Sequence, residues 1–218
     1  MVSPDLTLPP WPLLTAFALA SLVLAATPGP GVLYIVTRTL AQGRRAGLAS
    51  VAGVALGNLG NALAASLGLA ALLAVSTPAF ELVKYTGAAY LVWLGIKALR
   101  TPVAAAGADT AVAPPRRDIL RDGFVVALLN PKTALFFAAF LPQFIDPAGA
   151  PIAQTALLGA AFVAIAACTD TAYVLAAGAA APALGQLGRA GTISRWLTAA
   201  IYIGLGVFTA ASGSRGAK

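Results

Sequence analysis

The chain has 218 residues, of which 59% are hydrophobic and 10% are charged, whereas about a quarter of the residues of a soluble domain carry charge. With a mean hydropathy of +0.86, this composition excludes an ordinary soluble protein and predicts an integral membrane protein built of α-helices. One Cys and no His exclude a disulfide framework and a conventional zinc site. In a membrane protein the positions of basic residues indicate the orientation of the helices, so we interpret the net charge of +7 in that way and expect no nucleic-acid partner.

Six apolar stretches approach or exceed the length of about 20 residues that a membrane-spanning helix needs. They run approximately over residues 11–40, 47–75, 79–99, 120–144, 152–180 and 196–211. Lys and Arg residues concentrate in the connections that follow the first, third and fifth stretches, which the positive-inside rule places in the cytoplasm. Both termini would then lie outside, although Arg215 and Lys218 at the C-terminus run against this orientation.

The first stretch contains a helix-breaking run, which consists of Thr27, Pro28, Gly29, Pro30 and Gly31. Proline removes a backbone donor and clashes with the preceding turn, and glycine adds conformational freedom, so backbone groups here lose their partners within the helix. At membrane depth such backbone is tolerated only where it is buried in protein or lines a wet cavity. We therefore predict that substrate binds at this break.

The second stretch carries two amides, Asn58 and Asn61, which lie three residues apart and so share one face of a helix. Gly53 and Gly57 lie on or near that face and form a small-residue seam that lets another helix approach closely. The amides are interpreted either as substrate contacts or as hydrogen bonds between helices, and the sequence leaves both open. The small-residue faces would either close the monomer or join two copies as a homodimer.

Residues 101–118 are rich in Ala, Gly and Pro and end with basic residues. We interpret this segment as a cytoplasmic linker. It separates a first three-helix repeat, residues 1–100, from a second one, residues 119–218. Each repeat would contribute three membrane spans.

A second helix-breaking pair, Asn130-Pro131, occupies the position in the fourth stretch that Thr27-Pro28 occupies in the first. An odd number of spans per repeat inverts the second repeat relative to the first, and paired breaks in corresponding helices are typical of the central site of a transporter. The predicted fold is an all-α integral membrane protein with six transmembrane helices in a 3+3 inverted repeat. Helices 1 and 4 would be broken, and their breaks would face each other near the middle of the membrane.

Two charged residues lie deep within the predicted spans. Lys132 directly follows the second break and lies too deep for its ammonium to reach the cytoplasmic surface easily. Asp170 is the carboxylate that we place well inside a span, where an isolated charge is expensive and marks an ion or proton path by default. Asp170 is therefore our candidate for proton coupling, and a structural pair with Lys132 is the alternative. We assign Tyr173 no role beyond packing.

Three groups of motifs occur together in this chain. They are Thr27-Pro28-Gly29-Pro30 with Gly-Arg-Arg-Ala-Gly-Leu at 43–48, Gly-Ala-Ala-Tyr-Leu at 87–91 with Trp-Leu-Gly at 93–95, and Gly-Phe at 123–124 with Leu-Asn-Pro-Lys at 129–132 and Phe-Leu-Pro-Gln-Phe at 140–144. In this order they resemble the LysE/RhtB family of bacterial amino-acid exporters. The resemblance implies six hydrophobic segments and export of amino acids or their derivatives in exchange for protons. The family usually has Asn where this chain has Gly31, so an amide is lost at the first break.

The sequence thus predicts a multi-pass secondary active transporter of the bacterial inner membrane, whose partners are the lipid bilayer, a small amino-acid-like substrate and protons. Half-helices that begin near Pro30 and Pro131 would offer N–H groups to a substrate carboxylate, with Lys132 assisting, and unwound carbonyls would suit an ammonium. The predicted substrate-binding residues are Thr27, Pro28, Gly29, Pro30, Gly31, Asn58, Asn61, Asn130, Pro131 and Lys132.

Two alternatives belong to other functional classes. A metal-ion exporter would favour several carboxylates or thiolates, and the spans offer few. An intramembrane enzyme would need a nucleophile and a base, and none can be assigned from the spacing of the residues. Since no nucleotide-binding motif is present either, we expect no cofactor and no bound metal.

Overall fold

A computed structural model describes residues 9–68, 76–100, 115–145, 150–185 and 190–211. Within these ranges all regular structure is helical. The helices are α1 (Trp11–Ala26), α2 (Pro30–Gln42), α3 (Arg44–Ser66), α4 (Thr77–Arg100), α5 (Arg116–Leu128), α6 (Pro131–Leu135), α7 (Pro151–Gly185) and α8 (Ala190–Ala211). After α6 the chain continues through a π-helical turn, Phe136–Phe140, and a 3-10 turn, Leu141–Phe144.

Two of these helices are long and apolar enough to cross a bilayer by themselves: α3, and α7 over Pro151–Pro182. Up to four spans result if the bent pairs α1–α2 and α5–α6 each form one, and α8 includes a shorter apolar helix over Arg195–Ala211. The chain therefore has the apolar helices of a membrane protein, while the full set of six spans stays a prediction. Residues 101–114 of the predicted linker, the connection at 146–149 and residues 215 and 218 lie outside the described residues. The last three residues assigned to the linker, 116–118, belong to α5.

Both predicted helix breaks are present. The axis bends by 49° between α1 and α2 and by 45° between α5 and the segment that begins at Pro131. Pro30 and Pro131 each occupy the first position of the helix after the break, where the new helix itself uses no N–H and the fixed φ suits it. At the second break the side chain of Asn130 caps α6 by accepting a hydrogen bond of 3.1 Å from the backbone N–H of Lys132.

The contact between α3 and α5 depends on glycine. A Cβ atom on Gly53 would collide with the carbonyl oxygen of Leu120, and one on Gly57 would collide with that of Phe124. Because neither glycine has a side chain, the two backbones approach closely. The small-residue seam predicted on this face is confirmed, and the structure places it inside the monomer, against α5.

Two buried apolar clusters hold the helices together. The first surrounds Tyr34 and Tyr202 and joins α2, α3, α4, α5, α7 and α8. The second is aromatic, with Phe17, Phe137 and Phe162 at its centre, and joins α1, α3 and α7 to the segment that follows the second break. The helix breaks lie between these clusters, so packed side chains fix their positions from both sides.

The α3–α5 seam yields a first prediction. Gly57→Ala should lower the free energy of unfolding by about 2 kcal/mol, because the added methyl group forces two packed backbones apart. Thermal unfolding of the purified protein in detergent measures the effect. Gly204→Ala is the matched control, since a Cβ at this position would meet no atom within 4 Å apart from the adjacent backbone of its own helix. Equal melting temperatures for the two variants would contradict this account of the seam.

Candidate functional site

A small cavity lies where the two helix breaks meet α3 and α7, and its volume is about 40 Å³. Most of the residues predicted for the site line it: Thr27, Gly29, Gly31, Asn58, Asn130, Lys132 and Asp170. The structure therefore brings together, at one place, residues from four separate regions of the sequence. The volume suffices for a few water molecules but not for an amino acid, so a substrate of that size requires the cavity to widen.

The ammonium of Lys132 bridges the two breaks. Its Nζ donates hydrogen bonds to the carbonyl oxygens of Leu24, at 2.7 Å, and Thr27, at 2.5 Å, at the end of α1. In a continuous helix the carbonyl of Leu24 would accept from residue 28, but Pro28 has no N–H. Carbonyls at the C-terminal end of a helix also carry its negative partial charge. A cationic donor is therefore the partner that this end of α1 favours.

Tyr173 supplies a replacement hydrogen-bond donor at the first break, a role that the sequence analysis missed. Its hydroxyl donates a hydrogen bond of 2.7 Å to the carbonyl oxygen of Ala26, which has no helical partner because Pro30 lacks an N–H. Tyr173 lies three residues after Asp170 and therefore on the same face of α7. That spacing was the available signal, because a side chain on the face of a predicted site residue is a candidate for the same cavity.

Asn61 supplies a replacement hydrogen-bond donor at the second break. The carbonyl of Ala127 loses its helical donor to Pro131, and the Asn61 side-chain amide donates a hydrogen bond of 3.0 Å to it. Asn61 thus joins α3 to α5 and does not line the cavity, and neither do Pro28, Pro30 and Pro131. The three prolines shape the site by removing donors.

Asn58, Thr133 and Asp170 are the buried polar side chains of the cavity wall that have no hydrogen-bond partner among the described residues. Each has 5% or 6% of its surface exposed, and all three line the cavity. Within the described ranges Asp170 forms no ion pair with Lys132, although the two residues share the cavity. The alternative of a permanent structural pair is therefore not realised as a direct contact.

The sequence analysis did not identify a second buried carboxylate, Asp122. It is fully buried, and its oxygens accept hydrogen bonds from Arg38 at 3.1 Å, Tyr90 at 3.0 Å, and Lys97 and Arg121 at 3.4 Å. The cluster ties α2, α4 and α5 together. Asp122 lies near the start of the predicted fourth span, beside a run of arginines, so from sequence it resembles an ordinary interfacial charge.

Asp122→Ala should lower the free energy of unfolding by about 3 kcal/mol, because it leaves the guanidinium of Arg38 largely buried without its counter-charge. Chemical or thermal unfolding in detergent measures the loss. Asp118→Ala is the matched control, since Asp118 lies one turn earlier on α5 and forms no ion pair with any described residue. A loss of the same size in both variants would show that the ion cluster does not stabilise the fold.

Nowhere in the described ranges do three or more His, Cys, Asp or Glu side chains gather in a group that could hold a metal ion. Lys132 and Asp170 are the charged side chains of the cavity wall. The arrangement offers groups that bind an organic ion by hydrogen bonds and charge.

Comparison with known proteins agrees with the motifs. Residues 22–213 match the LysE type translocator family. The chain is 34% identical over 174 residues to an uncharacterized membrane protein of Vibrio cholerae, covering 80% of this chain and 82% of that one. It is 35% identical over 158 residues to the homoserine/homoserine lactone efflux protein of Salmonella typhimurium, covering 72% and 77%.

A further relative is the leucine efflux protein of Enterobacter sp., which is 33% identical over 131 residues, or 60% of this chain and 62% of that one. No solved structure matches the chain. The family match and the shared length with these relatives confirm the resemblance drawn from the motifs, and the chain belongs to the LysE/RhtB family of translocators.

Proposed function

We propose that this chain is a secondary active transporter that exports an amino acid, or a closely related small metabolite, across the bacterial inner membrane in exchange for protons. The family consists of translocators and not of enzymes, and two of the relatives are named for the efflux of homoserine, its lactone and leucine. The observation that carries the proposal is the cavity between the two helix breaks, whose lining groups complement the charges of an amino acid.

An amino acid is a zwitterion, and the cavity offers a favourable environment for each of its charges. The C-terminal end of α1 presents carbonyl oxygens that suit an ammonium, and the N-terminal end of α2, at Gly31, suits a carboxylate because of its free N–H groups and positive partial charge. Asn58 and Asn130 add amide groups to the wall. Val54 and Phe162 make another part of the wall apolar, which leaves a place for the substrate side chain.

We further propose the 3+3 inverted repeat for this fold. A two-fold axis that relates the repeats would exchange the pair α1–α2 with α5–α6, α3 with α7, and α4 with α8. The contact of α3 with α5 then has its counterpart in the contact of α7 with α1 and α2. The contacts of α3 with α7 and of α4 with α8 each lie on the axis. All of these contacts occur. In this scheme α4 and α8 are the third and sixth spans, and they pack so closely that a Cβ on Gly206 would lie 2.8 Å from the carbonyl oxygen of Ala88.

Efflux from vesicles tests the proposed function directly. Proteoliposomes that contain the protein and are loaded with labelled leucine, homoserine or other amino acids should release at least one of them faster than protein-free liposomes. An imposed proton gradient should drive that release uphill. Release of a divalent metal in place of amino acids would favour the metal-exporter alternative, and release of neither would contradict the proposal.

Asp170→Asn tests the proposed coupling. Asp170 has neither an ion pair nor a hydrogen bond among the described residues, so its charge can change with a proton at a lower cost than in a saturated cluster. We expect the variant to lose proton-driven uphill efflux and to keep downhill exchange of substrate, since the amide resembles the neutral acid in shape. Asp118→Asn, at a carboxylate outside the cavity, is the control.

A double variant distinguishes coupling from a purely structural role of Asp170. Asp170→Asn combined with Lys132→Met removes both charges of the cavity wall and so leaves no buried charge unpaired. Uphill transport by this double variant that still depends on a proton gradient would exclude Asp170 as the coupling residue.

A further inference from the structure

We infer that the carbonyl oxygens of Leu24 and Thr27 form the subsite for the ammonium of the substrate, an inference that rests on the proposed export of an amino acid. The ammonium of Lys132 occupies this subsite in the structure, and the substrate must displace it. The released Lys132 then pairs with Asp170. Lys132 thus acts as a tethered competitor of the substrate.

The first support is that these carbonyls already hold a primary ammonium. Lys132 Nζ lies 2.7 Å from the oxygen of Leu24 and 2.5 Å from that of Thr27. The α-ammonium of an amino acid and the ε-ammonium of lysine are both R–NH₃⁺ groups with three donors and no acceptor. A place that satisfies one therefore has the chemistry to satisfy the other.

The second support is that this subsite requires an occupant. The carbonyl of Leu24 lacks its ordinary helical donor because of Pro28 and keeps a backbone hydrogen bond of 3.2 Å from the N–H of Thr27. Loss of the Lys132 donor would still cost free energy, because carbonyls away from water are poorly satisfied by a single long hydrogen bond. If Lys132 left without a replacement, this cost would oppose its departure. A substrate ammonium removes the cost, so substrate binding and the movement of Lys132 become one exchange.

The third support is that a second partner for Lys132 lies in the same cavity. Asp170 is buried, with 5% of the residue surface exposed, and its carboxylate accepts no hydrogen bond from the described residues. Lysine has a long flexible side chain with a compact charge, which suits it to change partners. Its movement to Asp170 would neutralise both groups inside the protein.

The exchange also accounts for the size of the cavity. The hydrogen bonds of Lys132 join the segment after the second break to the end of α1. Its aliphatic side chain packs against Gly29, where an added Cβ atom would lie 3.3 Å from Lys132 Cδ. While these hydrogen bonds persist, the cavity keeps its volume of about 40 Å³. Release of Lys132 removes the direct hydrogen bonds between the two breaks and so permits the widening that an amino acid requires.

Chemical rescue tests the subsite with free amines. Lys132→Met removes the ammonium and keeps an unbranched side chain of similar length, so it leaves the carbonyls of Leu24 and Thr27 without their side-chain donor. n-Propylammonium should raise the melting temperature of this variant by several degrees and leave that of the unsubstituted protein unchanged. Tetramethylammonium has the same charge but no N–H donor, and should have no effect on either protein.

Lys132→Arg is the matched control, because its guanidinium still supplies donors to the carbonyls and should make the variant unresponsive to n-propylammonium. If Lys132→Met does not fold, Lys132→Ala extracted and purified with n-propylammonium should be monodisperse and should lose this state when the amine is removed. The inference is wrong if n-propylammonium stabilises neither variant or if tetramethylammonium works equally well.

The rescue experiment does not depend on transport. Stabilisation of Lys132→Met by n-propylammonium, together with no amino-acid release from vesicles, would refute the proposed function and leave the ammonium subsite in place. Amino-acid efflux without any response of the Lys132 variants to the amine would refute the subsite and leave the proposed function in place.

Discussion

The structure depends on one constraint: a carbonyl whose helical donor has been deleted by proline must find another donor inside the protein. In water such a group would be hydrated, but at membrane depth it has no such partner and would cost several kcal/mol. Pro28, Pro30 and Pro131 each delete one donor. In every case a side chain from a different helix donates to the carbonyl, and the resulting pairs are Leu24 with Lys132, Ala26 with Tyr173, and Ala127 with Asn61. The carbonyls of Leu24 and Ala127 also accept a longer hydrogen bond of 3.2 Å from the backbone N–H three residues later.

The replacement donors come from the opposite part of the chain. Lys132 and Tyr173, in residues 119–218, complete the break in α1–α2, and Asn61, in residues 1–100, completes the break in α5–α6. Each break therefore depends on side-chain donors from the other half of the chain. A relative motion of the two halves would change these hydrogen bonds, so the geometry of the breaks and the arrangement of the halves are linked. For a transporter this link connects what occupies the cavity to which conformation the protein adopts.

The sequence predicted the features that local chemistry determines. Proline and glycine set the breaks and the seam between α3 and α5 wherever they occur, so both could be located from residue types and spacing alone. The features that could not be predicted from the sequence depend on tertiary contacts. Asn58 and Asn61 share a helical face, but only the packed structure distinguishes the amide that lines the cavity from the one that holds a helix. Asp122 and Tyr173 acquire their roles from partners that lie far away in the sequence, which no local pattern encodes.

The two buried aspartates show why burial alone does not identify a functional charge. Asp122 accepts hydrogen bonds from three cationic side chains and a tyrosine, so loss or neutralisation of its charge would strand several partners, and its environment keeps it fixed. Asp170 is nearly as buried but has no such partner among the described residues, and it shares its cavity with Lys132. A transport cycle needs charged groups whose partners can change at small cost. By that criterion Asp122 maintains the fold, and Asp170 and Lys132 are the pair whose interactions we propose to alternate between substrate, proton and each other.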